Sequence, residues 1–300
     1  MTLVNSPAVQ TNATFFNAVP RTSARTQACI LSTCGSLTCD ANQCTQSCTS
    51  SNCSSQTCPS TVKTCTQSSA GEMTCEADVC TQSCSKAGEC RMSCPVGGSN
   101  CTQVSQIDSA SMKCDRGLCQ QMCFLGGCDM RCSSSATTGS CLQSCSDGIL
   151  TCGTMSCDAT NCTQVAQGRN ATLRCEGDVC DQVSFNNDST LTCPLGVKKC
   201  KQFANDKNTT MRCDGEMCEQ YCQGGECNMI CSERAKECHQ MCLSGKCLYR
   251  CDAKKCKLNC FGSCSEFKPT TIATTKPSGA PFQIGSLVLQ ALMLAFAIFM

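Results

Sequence analysis

Tryptophan does not occur in the 300 residues, tyrosine occurs twice, and aromatic residues make up only 4%. A chain so poor in large apolar side chains cannot fill the interior of an ordinary globular domain of this length. Histidine occurs once, at His239. Nucleophilic catalysis by serine or cysteine needs a neighbouring base, so one histidine leaves such chemistry little to work with. The sequence singles out no pair of carboxylates for glycoside hydrolysis either. The formal net charge of +1 argues against nucleic acid as a partner, because that calls for a basic face. It argues equally against an acidic ion sponge. Neither Cys-x-Cys nor Cys-x-x-Cys occurs, which removes the usual thiolate chelate for zinc. These absences describe a non-enzyme with no cofactor and no metal site.

Cysteine is what the chain has: 40 residues, beyond the level that marks a disulfide scaffold. In a reducing cytosol those thiols would stay unbridged and reactive, so the composition points to the secretory pathway. Cross-links must then replace much of the missing core.

The cysteines follow a rhythm, well seen in residues 213–242. Cys-x-Gln begins at Cys44, Cys65, Cys80, Cys101, Cys119, Cys141, Cys162, Cys180, Cys200, Cys218 and Cys238, and Leu258 replaces Gln in a further copy at Cys256. A period near 20 with variable corners marks a solenoid. Each copy is preceded by another Cys, usually with Leu or Met two positions earlier, as in Met211-Arg212-Cys213. Leu-x-Cys and Cys-x-Gln-x-Cys each place alternate side chains on one face of an extended strand. Helical periodicity is absent. The predicted fold is all-β, a disulfide-stapled β-solenoid of about 12 short repeats spanning residues 29–264.

Pairing can be argued from joint presence and absence. Cys48, Cys84, Cys123, Cys145, Cys222, Cys242 and Cys260 each follow a motif Cys by four, and each is followed by one extra Cys before the next repeat. The other repeats lack both members. Cys84 and Cys90 have neighbouring repeats that offer no partner, so Cys48–Cys53, Cys84–Cys90 and Cys222–Cys227 read as bridges within a repeat. The first set then pairs as Cys39–Cys44 through Cys213–Cys218, and Cys29–Cys34 completes the set. For the first set, bridges between neighbouring coils fit as well, since stacked strands lie about 4.8 Å apart.

Three columns invite a functional and a structural reading. An acid follows the first Cys wherever the gap is four residues: Asp40, Glu76, Asp115, Asp158, Glu176, Asp214 and Asp252. These could meet calcium or a mineral face, or accept backbone N–H bonds in a turn. Their wide separation favours the turn. The inward Gln of each coil could form an amide ladder or a polar recognition stripe, and strand parity favours the ladder. Between Cys and Gln, Thr45, Thr66, Thr81, Thr102 and Thr163 give way to Asp181, Lys201, Glu219, His239 and Lys257. The lysines of this half read as a solvated face.

The two ends complete the plan. Residues 1–28 show no basic start followed by an apolar run, hence no secretory signal. They read as a disordered segment from a chain that lacks its natural N-terminus. Residues 265–278 form a Thr/Pro linker. Ser278-Gly279-Ala280, a short spacer and a 14-residue apolar tail with no following Lys or Arg resemble a signal for GPI lipid attachment at Ser278. Residues 279–300 would then be a propeptide; the alternative is a single membrane span. Asn-x-Ser/Thr sequons at Asn12, Asn52, Asn100, Asn161, Asn170, Asn187 and Asn208 suit an extracellular glycoprotein.

Cys-Thr-Gln-Ser-Cys at 44–48 and 80–84, with the Gly-Gly-x-Cys units at 125–132 and 223–231, resembles the Cys-rich repeat proteins of corals and their relatives. Those proteins are GPI-anchored at the cell surface or part of the skeletal organic matrix. The resemblance covers residues 29–264 and implies an extracellular matrix role associated with mineral. The balanced charge departs from the acidic matrix proteins.

The expectation is an extracellular structural or adhesive scaffold, held on the outer cell surface by a C-terminal lipid anchor. The alternative is a secreted component of a skeletal organic matrix associated with biomineralisation.

Overall fold

The computed structural model describes residues 24–29, 34–48, 53–85, 88–133, 139–146, 151–185, 188–205 and 207–266. Every element is a β-strand, and the strands form two parallel sheets of thirteen. Odd strands in chain order build one sheet and even strands the other. Each coil therefore lays one strand in each sheet, and the chain climbs as a β-solenoid, as the repeat rhythm predicts. We call the two layers the Gln sheet and the Met sheet after their inward residues.

Register follows the motif. In the Gln sheet Gln164 lies beside Gln143 and Gln182, and Cys162 beside Cys141 and Cys180. In the Met sheet Met130 lies beside Met112 and Met155. Slipping any strand by one residue would turn its Cys and Gln to water, which fixes the stacking. Burial alternates accordingly: Asn161–Ala166 has its second, fourth and sixth residues inside. The Met column of Met73, Met92, Met112, Met130, Met155, Met211 and Met229 is buried, with Leu173 and Leu191 in the same line. Each such side chain is worth roughly 1.5–3 kcal/mol when buried.

Sulfur lines both edges of the thin interior. Nineteen bridges, all between cysteines four to nine residues apart, close the corners. The Cys39–Cys44 type joins a Met strand to the next Gln strand and forms a continuous buried column along one edge. The Cys48–Cys53 type closes the other edge in alternate stretches. Each bridge spans a corner between consecutive strands of the chain, and none of those between described cysteines links two strands stacked in the same sheet. Cys29 is also in a disulfide, whereas the Cys34 side chain lies outside the described residues.

Where the second bridge is missing, small residues stand in register for it. Ser105 lies beside Cys84 and Cys123, and Ala166 beside Cys145. On the facing strands Ala110 lies beside Cys90 and Thr209 beside Cys227. Ser184 and Ser189 replace the bridge of their corner by a buried hydroxyl–hydroxyl hydrogen bond of 2.7 Å. These corners also change their left-handed residue. A bridged corner uses Gly127 (φ 65°), whereas Asn170 (φ 52°), Asp188 (φ 64°) and Asn208 (φ 58°) serve three of the five unbridged ones. Asn and Asp tolerate that conformation better than other residues with a side chain.

The solenoid starts earlier than the cysteine motif indicates. Arg25–Cys29 is a full strand of the Gln sheet, with Arg25 beside Cys44 and Gln27 beside Gln46. Residues 25–28 therefore belong to the solenoid rather than to a disordered leader. Arg-Thr-Gln-Ala-Cys keeps the parity of Cys-Thr-Gln-Ser-Cys but has no Cys to announce it.

Candidate functional site

The interior polar column is structural. From Gln46 to Gln240, eleven successive Gln side chains each donate Nε2–H to the Oε1 of the Gln one coil earlier, at 2.8–3.0 Å. Most also donate across to a main-chain carbonyl of the facing Met sheet, as Gln164 does to Met155 O at 2.9 Å. All of these donors are buried, so none forms a recognition stripe. Leu258 lies beside Gln240 and ends the ladder.

The acid column reads differently in space. Lys113–Asp115 (2.9 Å), Arg212–Asp214 (3.0 Å), Arg250–Asp252 (2.6 Å) and Arg174–Glu176 are ion pairs two residues apart along the chain. Asp40 pairs with Arg25 at 2.9 Å, and Asp115 also accepts from the Ser133 hydroxyl. These carboxylates thus meet side-chain cations where turn N–H groups were expected. The Lys/Arg-Cys-Asp/Glu triplet was visible in the sequence, since residues i and i+2 of a strand share a face. Arg174, Arg212 and Arg250 fall on every second coil of the Met sheet's outer face, about 9.6 Å apart. Exposed pairs of this kind contribute little to stability.

Two sulfur clusters meet the distance expected of metal ligands: Cys132 with Cys141 and Cys157, and Cys242 with Cys260 and Cys264. All six sulfurs are in disulfides and have no thiolate to offer.

One surface remains that packing does not explain, the outer face of the Gln sheet. Its column between Cys and Gln begins with Thr26, Thr45, Thr66, Thr81 and Thr102 and turns to mixed charge at Asp181, Lys201 and Glu219. Burial raises the Asp181 carboxyl pKa, against the pull of Lys201 and Lys199. His239 sits exposed in this column. The residue after Gln, in the same strands, is Val104, Met122, Val165, Val183, Phe203, Tyr221 and Met241 in successive coils, interrupted only by Ser144. Phe185 packs its ring on Phe203 at 6.1 Å, and Leu118 and Met217 are each 47% exposed on the same face. Phe185, Phe203 and Tyr221 gather on this face. Burial beside Glu219 pushes the Tyr221 phenol up to about 12. The sequence carried this band in the fourth residue of Cys-x-Gln-x-Cys, where Val, Met, Phe and Tyr alternate and no one amino acid marks the column.

No family model, curated protein or solved structure matches the chain. Among the described residues no helix is long and apolar enough to cross a membrane. Ser278, Asn12, Asn52 and Asn187 lie outside the described residues. Asn170 and Asn208 are exposed at the unbridged corners, and Asn208 Nδ2 donates to Asp188 Oδ1 at 3.1 Å. Asn100 and Asn161 are exposed at the first residue of Gln-sheet strands.

Proposed function

We propose that this chain is an extracellular structural or adhesive scaffold, held on the outer face of the cell membrane by a lipid attached at Ser278 and bearing glycans on its exposed sequons. The supporting observation is that none of the described cysteines is free. A rod closed by local bridges needs an oxidising compartment to form and resists unfolding once there. It presents two long sheet faces, which suits display. The test is release from intact cells by a phosphatidylinositol-specific phospholipase. Retention after complete digestion, with the chain resistant to carbonate extraction, would favour a membrane span and overturn the lipid anchor.

A second reading, a secreted component of a mineralised matrix, rests on the ion pairs that recur on alternate coils of the Met sheet. A fixed array of paired charges offers both signs to an ionic lattice. Co-sedimentation of the chain with calcium carbonate tests it; loss of that binding in Arg174→Gln/Arg212→Gln/Arg250→Gln is the expected result.

A further inference from the structure

We infer that the outer face of the Gln sheet is a self-association surface, on which a second copy of this chain lies antiparallel to the first. Large apolar patches at a protein surface mark contact sites, and this one, half-buried along its Val104–Met241 column and exposed at Leu118 and Met217, is long and evenly spaced. From Val104 to Met241 it spans eight coils, and with the flanking columns it measures about 34 by 20 Å, or roughly 1,300–1,400 Å² buried over two copies. That is the size of a standard specific interface.

The occupant follows from spacing and charge. A partner that stays in contact over eight coils must repeat at the same interval of about 4.8 Å, and a second copy does so by construction. Two sheets packed face to face about 10 Å apart give the same geometry as a β-sandwich. The direction follows from the columns. A two-fold axis along the strands reverses the rod and sets each column against itself. Placed between the coils of Asp181 and Lys201, it opposes the eight coils from Met122 to Asn259, of which the six from Ser144 to Met241 belong to the band on both copies; it faces Asp181 with Lys201 of the other copy, twice, and Val183 with Phe203, twice. An axis along the rod sets the charged column against apolar neighbours and leaves Asp181 and Lys201 without opposite charges across the interface. The antiparallel dimer puts the two C-terminal ends at opposite ends of the rod. On the adhesive reading above, it would join two opposed surfaces; the dimer itself does not depend on that reading.

The test is sedimentation equilibrium of the full chain in a mild maltoside detergent. The expected result is a dimer at about 10 μM, weakened at least ~100-fold by Val183→Lys/Phe203→Lys. Both side chains lie half-buried on the outer face, so retained circular dichroism and absence of free thiols will show that the variant folds. Thr190→Lys, on the outer Met sheet, should leave the dimer intact. Asp181→Lys should weaken it, and Asp181→Lys/Lys201→Asp should restore it. A wild-type monomer overturns the proposal, as does a dimer indifferent to Val183→Lys/Phe203→Lys, which would mark association through the apolar C-terminal residues. A monomer that instead binds phosphatidylcholine vesicles, and loses that binding with the same changes, would reassign the face to a lipid surface.

Discussion

Gln182 donates its side-chain amide to Gln164 across 2.8 Å, and Gln164 donates in the same sense to Gln143 at 2.8 Å. Every amide between them is both donor and acceptor, so the column satisfies its own buried polar groups. Replacing Gln164 by Leu removes one donor and one acceptor at once. It leaves Gln143 Oε1 without its ladder donor in a dry interior and Gln182 Nε2 with only its 3.3 Å bond to Thr192 O, at a cost of about 1–3 kcal/mol for each weakened group. Chemical denaturation of the non-reduced variant should show a loss of about 2–5 kcal/mol. A loss under about 1 kcal/mol would mean that the ladder contributes little beyond packing.

Gln56 gives the opposite expectation. It occupies the Met column, between Leu37 and Met73, and its Oε1 is buried with no partner. Its amide donates only long bonds, to Cys48 Sγ at 3.4 Å and Ser68 O at 3.3 Å. Gln56→Leu restores the apolar line and removes the orphaned acceptor. We expect a gain of about 1 kcal/mol. In the sequence Gln56 stands two residues before Cys58, where Leu or Met is usual, but nothing there marks it as a cost.

A missing bridge can be added. Ala166 lies in register with Cys145, and Ala171 follows it by five residues, the separation of Cys123–Cys128. Both alanines are buried. Ala166→Cys/Ala171→Cys should oxidise to a new local disulfide and add roughly 2 kcal/mol by the loop-closure argument. Mass analysis of non-reduced peptides will identify the bridge, and slowed amide exchange across Thr172–Cys175 will report the gain. Two free thiols in a folded variant would mean that Asn170 holds the corner in a shape no bridge can span.

Cysteine spacing made most of this architecture legible, because Cys, Gln and Met point inward and their repetition is under one geometric demand. Paired presence and absence even separated bridged corners from unbridged ones. The outward residues obey no such demand. Val104, Phe203 and Tyr221 share a column yet not an identity, so the apolar face emerges only when the coils are stacked. Arg25–Cys29 escaped for a related reason: its first position faces no bridge and carries Arg. The spacing of the acids suggests a turn at Asp214, whereas its partner is the cation two residues back, Arg212, on the same face of the strand.

Arg116 breaks the pattern of its corner most sharply. Ala41, Ala77 and Ala159 fill the equivalent place after the acid, yet Arg116 is 2% exposed and turns its guanidinium inward. It donates to Cys75 O at 2.6 Å, Pro95 O at 3.0 Å and Asp78 O at 3.1 Å, and also to Ala77 O. Burial lowers its pKa against the opposing charges of Asp78 and Glu76. Gly98 makes room for it: a Cβ there would overlap the guanidinium and come within 2.6 Å of Ala77 O. Gly98→Ala should therefore destabilise the coil by about 2–4 kcal/mol. Arg116→Ala, which returns this corner to the common residue, removes one of the two clashes. The double variant should recover part of the loss and not all of it, because the Ala77 carbonyl stays in place. Equal effects of Gly98→Ala with and without Arg116 would show that the glycine serves the backbone alone.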